Sequence, residues 1–156
     1  MALITDEMRQ LIQRVRLCFA ATVDPQGKPN LSPKGSIEVW DDDHLVFADI
    51  ASPATVDNLK KNPSIEINVV DQVLRRGFRF KGQAELYFDG PMFDAVAEAL
   101  WARVGHQYPV HGVVKIKVEK ALPVLSPAYT FNPGITEANV KSDWLKHYGY
   151  REVASE

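Results

Sequence analysis

Three stretches of this sequence carry residue types that bind anions or bring bare backbone close to a ligand. Ser32-Pro33-Lys34-Gly35-Ser36 interrupts an otherwise β-compatible run. Proline cannot donate to a strand ladder and glycine offers no side chain. Such a break is either a bulge that bends the strand or a place where a ligand approaches the backbone. Ser52-Pro53-Ala54-Thr55 reads as a helix start, with Ser as N-cap and Pro at the first helical position. The free N–H groups and dipole of a helix start favour an anion, and Thr55 and Asn58 can add side-chain hydrogen bonds. A plain capped helix is the alternative. Arg75, Arg76, Arg79 and Lys81 form a basic stretch in which Arg79 and Lys81 share a strand face opposite Phe78 and Phe80. Arginine suits a two-pronged grip on phosphate or carboxylate, although a surface strand often carries such charges with no ligand.

No catalytic set accompanies these stretches. His44, His106, His111 and His147 are scattered, and none has metal-site spacing to Cys, Asp or Glu. The sequence has neither a nucleophile elbow nor a P-loop. Asp41-Asp42-Asp43 is a solvated turn rather than a facing carboxylate pair. An enzyme built this way leaves the hard chemistry to a cofactor and supplies shape and electrostatics.

The elements that must position these residues follow from periodicity. Met8, Leu11, Ile12 and Val15 mark an amphipathic helix over about 6–15, with Thr5 as N-cap. Leu17–Val23 and Pro29–Val39 form a hairpin around the Asp24-Pro25-Gln26-Gly27 turn. His44–Asp49 is a strand, and Pro53–Lys61 is a helix stopped by Asn62-Pro63. Ile65, Ile67 and Val69 alternate with polar residues in the next strand, and another runs from Phe78 to Phe88. A helix begins at Gly90-Pro91 and keeps its apolar stripe to Val104. Gly112–Val118 is a strand, Ser126–Gly134 a loop, and about 136–147 a last helix. This order implies a six-stranded antiparallel barrel with flanking helices, α+β by content, in one domain over 1–156.

Composition narrows the function. The chain has 156 residues, 46% hydrophobic and 24% charged, with net charge −2. It is long enough for a real core, and its charge argues against nucleic acid or an anionic membrane as partner. No apolar run approaches a membrane span, and residues 1–16 lack the apolar core of a signal peptide. Cys18, the single cysteine, reads as a buried thiol in a cytoplasmic protein.

The order of these pieces resembles the pyridoxamine 5'-phosphate oxidase-like proteins. The resemblance runs from the hairpin Ala21-Thr22-Val23-Asp24 to Gly27, through Pro29-Asn30-Leu31-Ser32-Pro33-Lys34-Gly35, Leu45–Asp49 and Asn58-Leu59 to Asn62-Pro63, and ends at Arg79-Phe80-Lys81-Gly82. Ser126-Pro127-Ala128-Tyr129 matches weakly. The resemblance implies a split barrel that binds FMN at the interface of a homodimer. The flavin-contacting strand falls on Lys34, Gly35, Ser36 and Ile37, and the end of the next strand on Ala48 and Asp49. The phosphate-binding helix start falls on Ala54 and Thr55, with Asn58 one turn on. The basic strand falls on Arg76, Arg79 and Lys81. The chain departs from the oxidases in having Ala54 and Thr55 where they carry basic residues, and it lacks their arginine-rich C-terminal segment.

The expected activity is therefore FMN-dependent oxidoreduction of a small molecule. The other readings are a deazaflavin reductase on the same barrel, a non-enzymatic flavin- or haem-binding protein, and a barrel used as an interaction module.

Overall fold

Helix α1, Asp6–Val15, begins where Thr5 Oγ1 accepts a hydrogen bond from the Met8 amide at 3.4 Å, and it ends at Arg16 in the left-handed conformation. Met8, Leu11 and Ile12 form its buried face. The computed structural model describes residues 3–151, so the ends of the expected domain over 1–156 lie outside the described residues.

Strands β1 (Cys18–Val23) and β2 (Pro29–Lys34) form the expected hairpin, in register from Cys18–Lys34 to Val23–Pro29. Asp24 Oδ1 accepts from the amides of Gln26 at 2.9 Å and Lys28 at 2.8 Å, which ties the turn; Gly27 takes its positive φ of 79°. The second strand does not run to Val39 as the sequence suggests. It stops at Lys34, and residues 35–37 cross to the opposite edge of the sheet. There β3 (Glu38–Val39) pairs with β4 (His44–Asp49). Ser36 explains the switch. Its hydroxyl accepts from the Ala48 amide at 3.0 Å and donates to the Ala48 carbonyl at 3.2 Å, replacing a backbone partner for β4.

Helix α2 spans Pro53–Lys61, as expected, and leads into β5 (Ser64–Asp71) and β6 (Arg76–Tyr87). Helix α3 (Gly90–Val104), strand β7 (Gly112–Leu125), helix α4 (Pro127–Phe131) and helix α5 (Glu137–His147) follow. Three more expectations need correcting. β7 continues past Val118 to Leu125 because a bulge between Lys81 and Gly82 keeps the long β6 paired along its whole length. A Cβ on Gly82 would stand 2.1 Å from the Lys117 carbonyl oxygen, so only glycine fits that bulge. Part of the expected 126–134 loop is α4, started by Ser126, whose hydroxyl accepts from the Ala128 amide at 3.3 Å, with Pro127 opening the first turn. Helix α5 starts one residue late because Thr136 is its N-cap.

The sheet order is β2-β1-β5-β6-β7-β4-β3, antiparallel throughout. The fold is an α+β antiparallel split barrel. It has seven strand segments rather than six, because the second strand divides at the crossover. The barrel interior holds Phe47, Phe80, Ile67 and Ile116, capped by Leu11 and Ile12 of α1. Helix α3 covers the outer face of β4 and β7 through Val96 against Val46 and Val113.

The outer face of β1 and β2 has no such cover among the described residues. Phe19 lies beside Pro33, Ala21 beside Leu31 and Val23 beside Pro29, all on one face. Leu31 is 64% exposed and Phe19 44%. Among the described residues, no helix is long and apolar enough to cross a membrane.

Candidate functional site

The described residues bury seven polar side chains: Thr22, Lys34, Ser36, Asp49, Ser52, Thr55 and Asn58. They converge where the crossover, the end of β4, the inner face of β1 and helix α2 meet. Buried polar groups must be hydrogen-bonded or they cost stability, and most of these are. Thr22 Oγ1 accepts from Asn58 Nδ2 at 3.1 Å and from Asn30 Nδ2 at 3.3 Å, and Asn30 Nδ2 also reaches Thr55 Oγ1 at 3.2 Å. Asp49 Oδ1 accepts from the Ser52 amide at 2.9 Å and the Ser52 hydroxyl at 2.6 Å. This overturns the expected capping role of Ser52: its side chain is committed to Asp49, and only its carbonyl serves the helix, accepting from Thr55 N at 3.1 Å.

Lys34 is hydrogen-bonded too, but among the described residues it has no ion-pair partner. It is 6% exposed, and its Nζ donates to Ser32 Oγ and, at 3.3 Å, to the Pro33 carbonyl, both neutral groups. It lies 5.6 Å from the Phe47 ring centre. Among the described residues no carboxylate stands within ion-pair distance of it. Burial holds its ammonium below the ordinary lysine range, partly offset by the field of Asp49. A buried cation without a counter-ion is destabilising, so this position is one that an anionic ligand would complete.

Gly35, the next residue, is exposed, and the fold does not demand a glycine there. A Cβ would meet only the Arg16 carbonyl oxygen, at an ordinary 3.7 Å. The crossover thus presents uncovered backbone next to the unpaired cation. Ile37 and Ala48 are buried and contribute backbone rather than side chain to this surface.

Cys18 stands opposite Lys34 in the hairpin register and is fully buried. Burial pushes its thiol up to about 12, with Lys34 pulling weakly the other way. A thiol reagent at pH 8 should leave Cys18 unmodified for hours in the native protein and titrate one equivalent on denaturation. Fast native labelling would show that this end of the barrel opens readily.

The basic residues lie elsewhere. Arg79 and Lys81 project from the outer face and share Glu66, with Arg79 Nε at 2.7 Å and Lys81 Nζ at 3.3 Å. Burial alone would raise the Glu66 carboxyl, but Lys81 and Arg79 hold it below its usual range. Lys81 and Glu66 line an outer cleft of about 420 Å³ together with Thr22 and Gly82. Arg76 bridges Glu7 of α1 and Glu137 of α5. Within one chain, therefore, Lys34, Gly35, Ser36, Ile37, Ala48, Asp49, Thr55 and Asn58 come together, and Arg76, Arg79 and Lys81 do not join them. Sequence reasoning missed Thr22, Asn30 and Ser32 as members of the network. A hydroxyl in an apolar strand, as at Thr22, was the available signal.

A family profile described as pyridoxamine 5'-phosphate oxidase matches residues 4–128, most of the chain. The chain belongs to the pyridoxamine 5'-phosphate oxidase family. Among solved structures, HupZ of Group A Streptococcus is 35% identical, with a match covering 79% of this chain and 95% of that one at a TM-score of 0.71. An FMN-binding protein from Syntrophomonas wolfei is 22% identical over 79% of this chain and 87% of its own, at 0.69. An F420 reductase is 20% identical over 76% and 98%, at 0.60. The latter two likenesses establish the shared fold. No curated protein matches. In this member of the oxidase family, the profile spans the whole buried cluster, from Cys18 and Lys34 to Asn58, as well as the outer-face residues Arg79 and Lys81.

Proposed function

We propose that this oxidase-family chain is an FMN-dependent oxidoreductase of a small molecule, working as a homodimer with FMN at the subunit interface. The observation that carries the reading is Lys34, a buried cation with no counter-ion among the described residues, beside the bare backbone of Gly35. FMN supplies an anionic phosphate and, in its ring, hydride transfer. The residues present fit such a group. Lys34 would hold negative charge, the start of α2 with Thr55 would receive the phosphate, and Asn58 with Thr22 would fix the position of Thr55 through Asn30. The backbone of Gly35, Ser36, Ile37, Ala48 and Asp49 would flank the ring and keep water from it. Arg76, Arg79 and Lys81 complete the expected set of cofactor contacts; Arg79 and Lys81 would have to act from the outer face, across the interface. The uncovered apolar face of β1 and β2 supports dimerisation, since apolar patches of this kind are usually covered in the working protein.

The first test is the absorption spectrum of the protein purified without added cofactor, with mass identification of anything released on denaturation. A flavin band and released FMN are expected. A released deazaflavin would move the reading to the F420 branch of the fold. A colourless protein that leaves FMN fluorescence unquenched would overturn it.

A further inference from the structure

A second charged cluster lies beside the crossover and has no part in the network above. Glu38 Oε1 sits 3.5 Å from Arg16 Nη1 and 3.5 Å from Arg103 Nη2. Three separate elements supply it: Arg16 caps α1, Glu38 opens β3, and Arg103 lies in the last turn of α3. Both guanidinium groups reach a single oxygen at the outer limit of hydrogen bonding. Two cations share one carboxylate, which leaves a net positive charge. Arg103 is also under-satisfied: its side chain is 25% exposed, yet its Nε is sealed from solvent with no hydrogen-bond partner among the described residues.

The cluster adjoins the crossover in two ways. Glu38 follows Ile37 directly, and the Arg16 carbonyl oxygen lies 3.7 Å from where a side chain on Gly35 would begin. Glu38 itself is 40% exposed, so its carboxylate can swing into water. A resident carboxylate also shows what chemistry the two guanidinium groups accept, since planar forks match oxyanions.

We propose that Arg16 and Arg103 form an oxyanion subsite that receives the carboxylate or phosphate group of the small-molecule substrate, displacing Glu38. The substrate assignment rests on the crossover being the flavin site; anion binding by the arginines does not.

The test follows the Arg103 Nε–H signal by NMR while inorganic phosphate, and separately acetate, is titrated into FMN-free and FMN-loaded protein. A saturable shift is expected. Tighter phosphate binding would mark a phosphorylated substrate, and tighter acetate binding a carboxylic acid. Glu38→Gln should tighten anion binding about threefold, the worth of one exposed ion pair. Arg103→Gln should weaken it at least about tenfold, and Arg103→Lys, which keeps the charge and stem, should fall between. All three variants should keep the wild-type FMN affinity. No saturable shift, equal binding by Arg103→Gln, or weaker binding by Glu38→Gln would overturn the proposal. Anion binding in a protein that never takes up FMN would sink the flavin reading and leave the subsite standing.

Discussion

Replacing Lys34 with methionine should weaken FMN binding about 10- to 100-fold while making the FMN-free protein more stable. A charge-assisted hydrogen bond to an anion is worth about 1.5–3 kcal/mol, and each 1.4 kcal/mol is a factor of ten. In the FMN-free protein the same ammonium is a liability. It is buried, and among the described residues it bonds only Ser32 and the Pro33 carbonyl and has no carboxylate at ion-pair distance. Methionine keeps the stem volume and removes the charge, so stability should rise by about 1 kcal/mol. The pH dependence has a definite sign. Lys34 titrates below its unfolded value, so between the two values the unfolded chain holds the proton more tightly. Stability of the FMN-free protein should therefore rise as pH climbs from the folded value toward the ordinary lysine value of about 10.4. Lys34→Met should lack that increment. Urea unfolding at neutral and alkaline pH, paired with FMN fluorescence quenching, checks both halves. Affinity and stability falling together would make Lys34 a structural cation and remove the observation on which the proposed function rests.

Leu31→Asp should turn the proposed dimer into a monomer and release FMN, with each barrel still folded. Leu31, at 64%, is more exposed than Phe19 and Val23 on the same face, and it lies beside Ala21. In an isologous dimer one substitution enters the interface twice. An unpaired carboxylate buried there costs several kcal/mol, so the dimer dissociation constant should rise by about a thousandfold or more. In the single chain the residue faces solvent, so its circular dichroism spectrum should not change. Sedimentation velocity at micromolar concentration checks the prediction. A persisting dimer would place the interface elsewhere, and a monomer that still binds FMN tightly would confine the site to one chain.

Local chemistry made much of this architecture legible. The cap at Thr5, the turn at Asp24–Gly27 and the Pro53–Lys61 helix depend on residues a few positions apart, and the structure matches them closely. The break at Pro33-Lys34-Gly35 was visible too, but its outcome was not. Whether a strand bulges or leaves for another edge depends on Ala48, distant in sequence, which offers Ser36 its backbone. The fate of the basic stretch was hidden for the same reason. That Glu66 faces Lys81 and neighbours Arg79 is fixed by the β5–β6 register, which no short motif announces. Ser52 looked like a helix cap because serine before proline is the usual cap pattern, but Asp49, only three residues earlier, takes its hydroxyl instead.

The crossover also determines how the sheet ends. One edge strand, β2, carries Pro29 and Pro33, which have no N–H to offer, and the other, β3, is two residues long. Neither is a template on which a foreign strand could lengthen the sheet. Concentrated solutions of this protein should resist growth into fibrils by edge addition, and copies that associate must meet face to face rather than strand to strand.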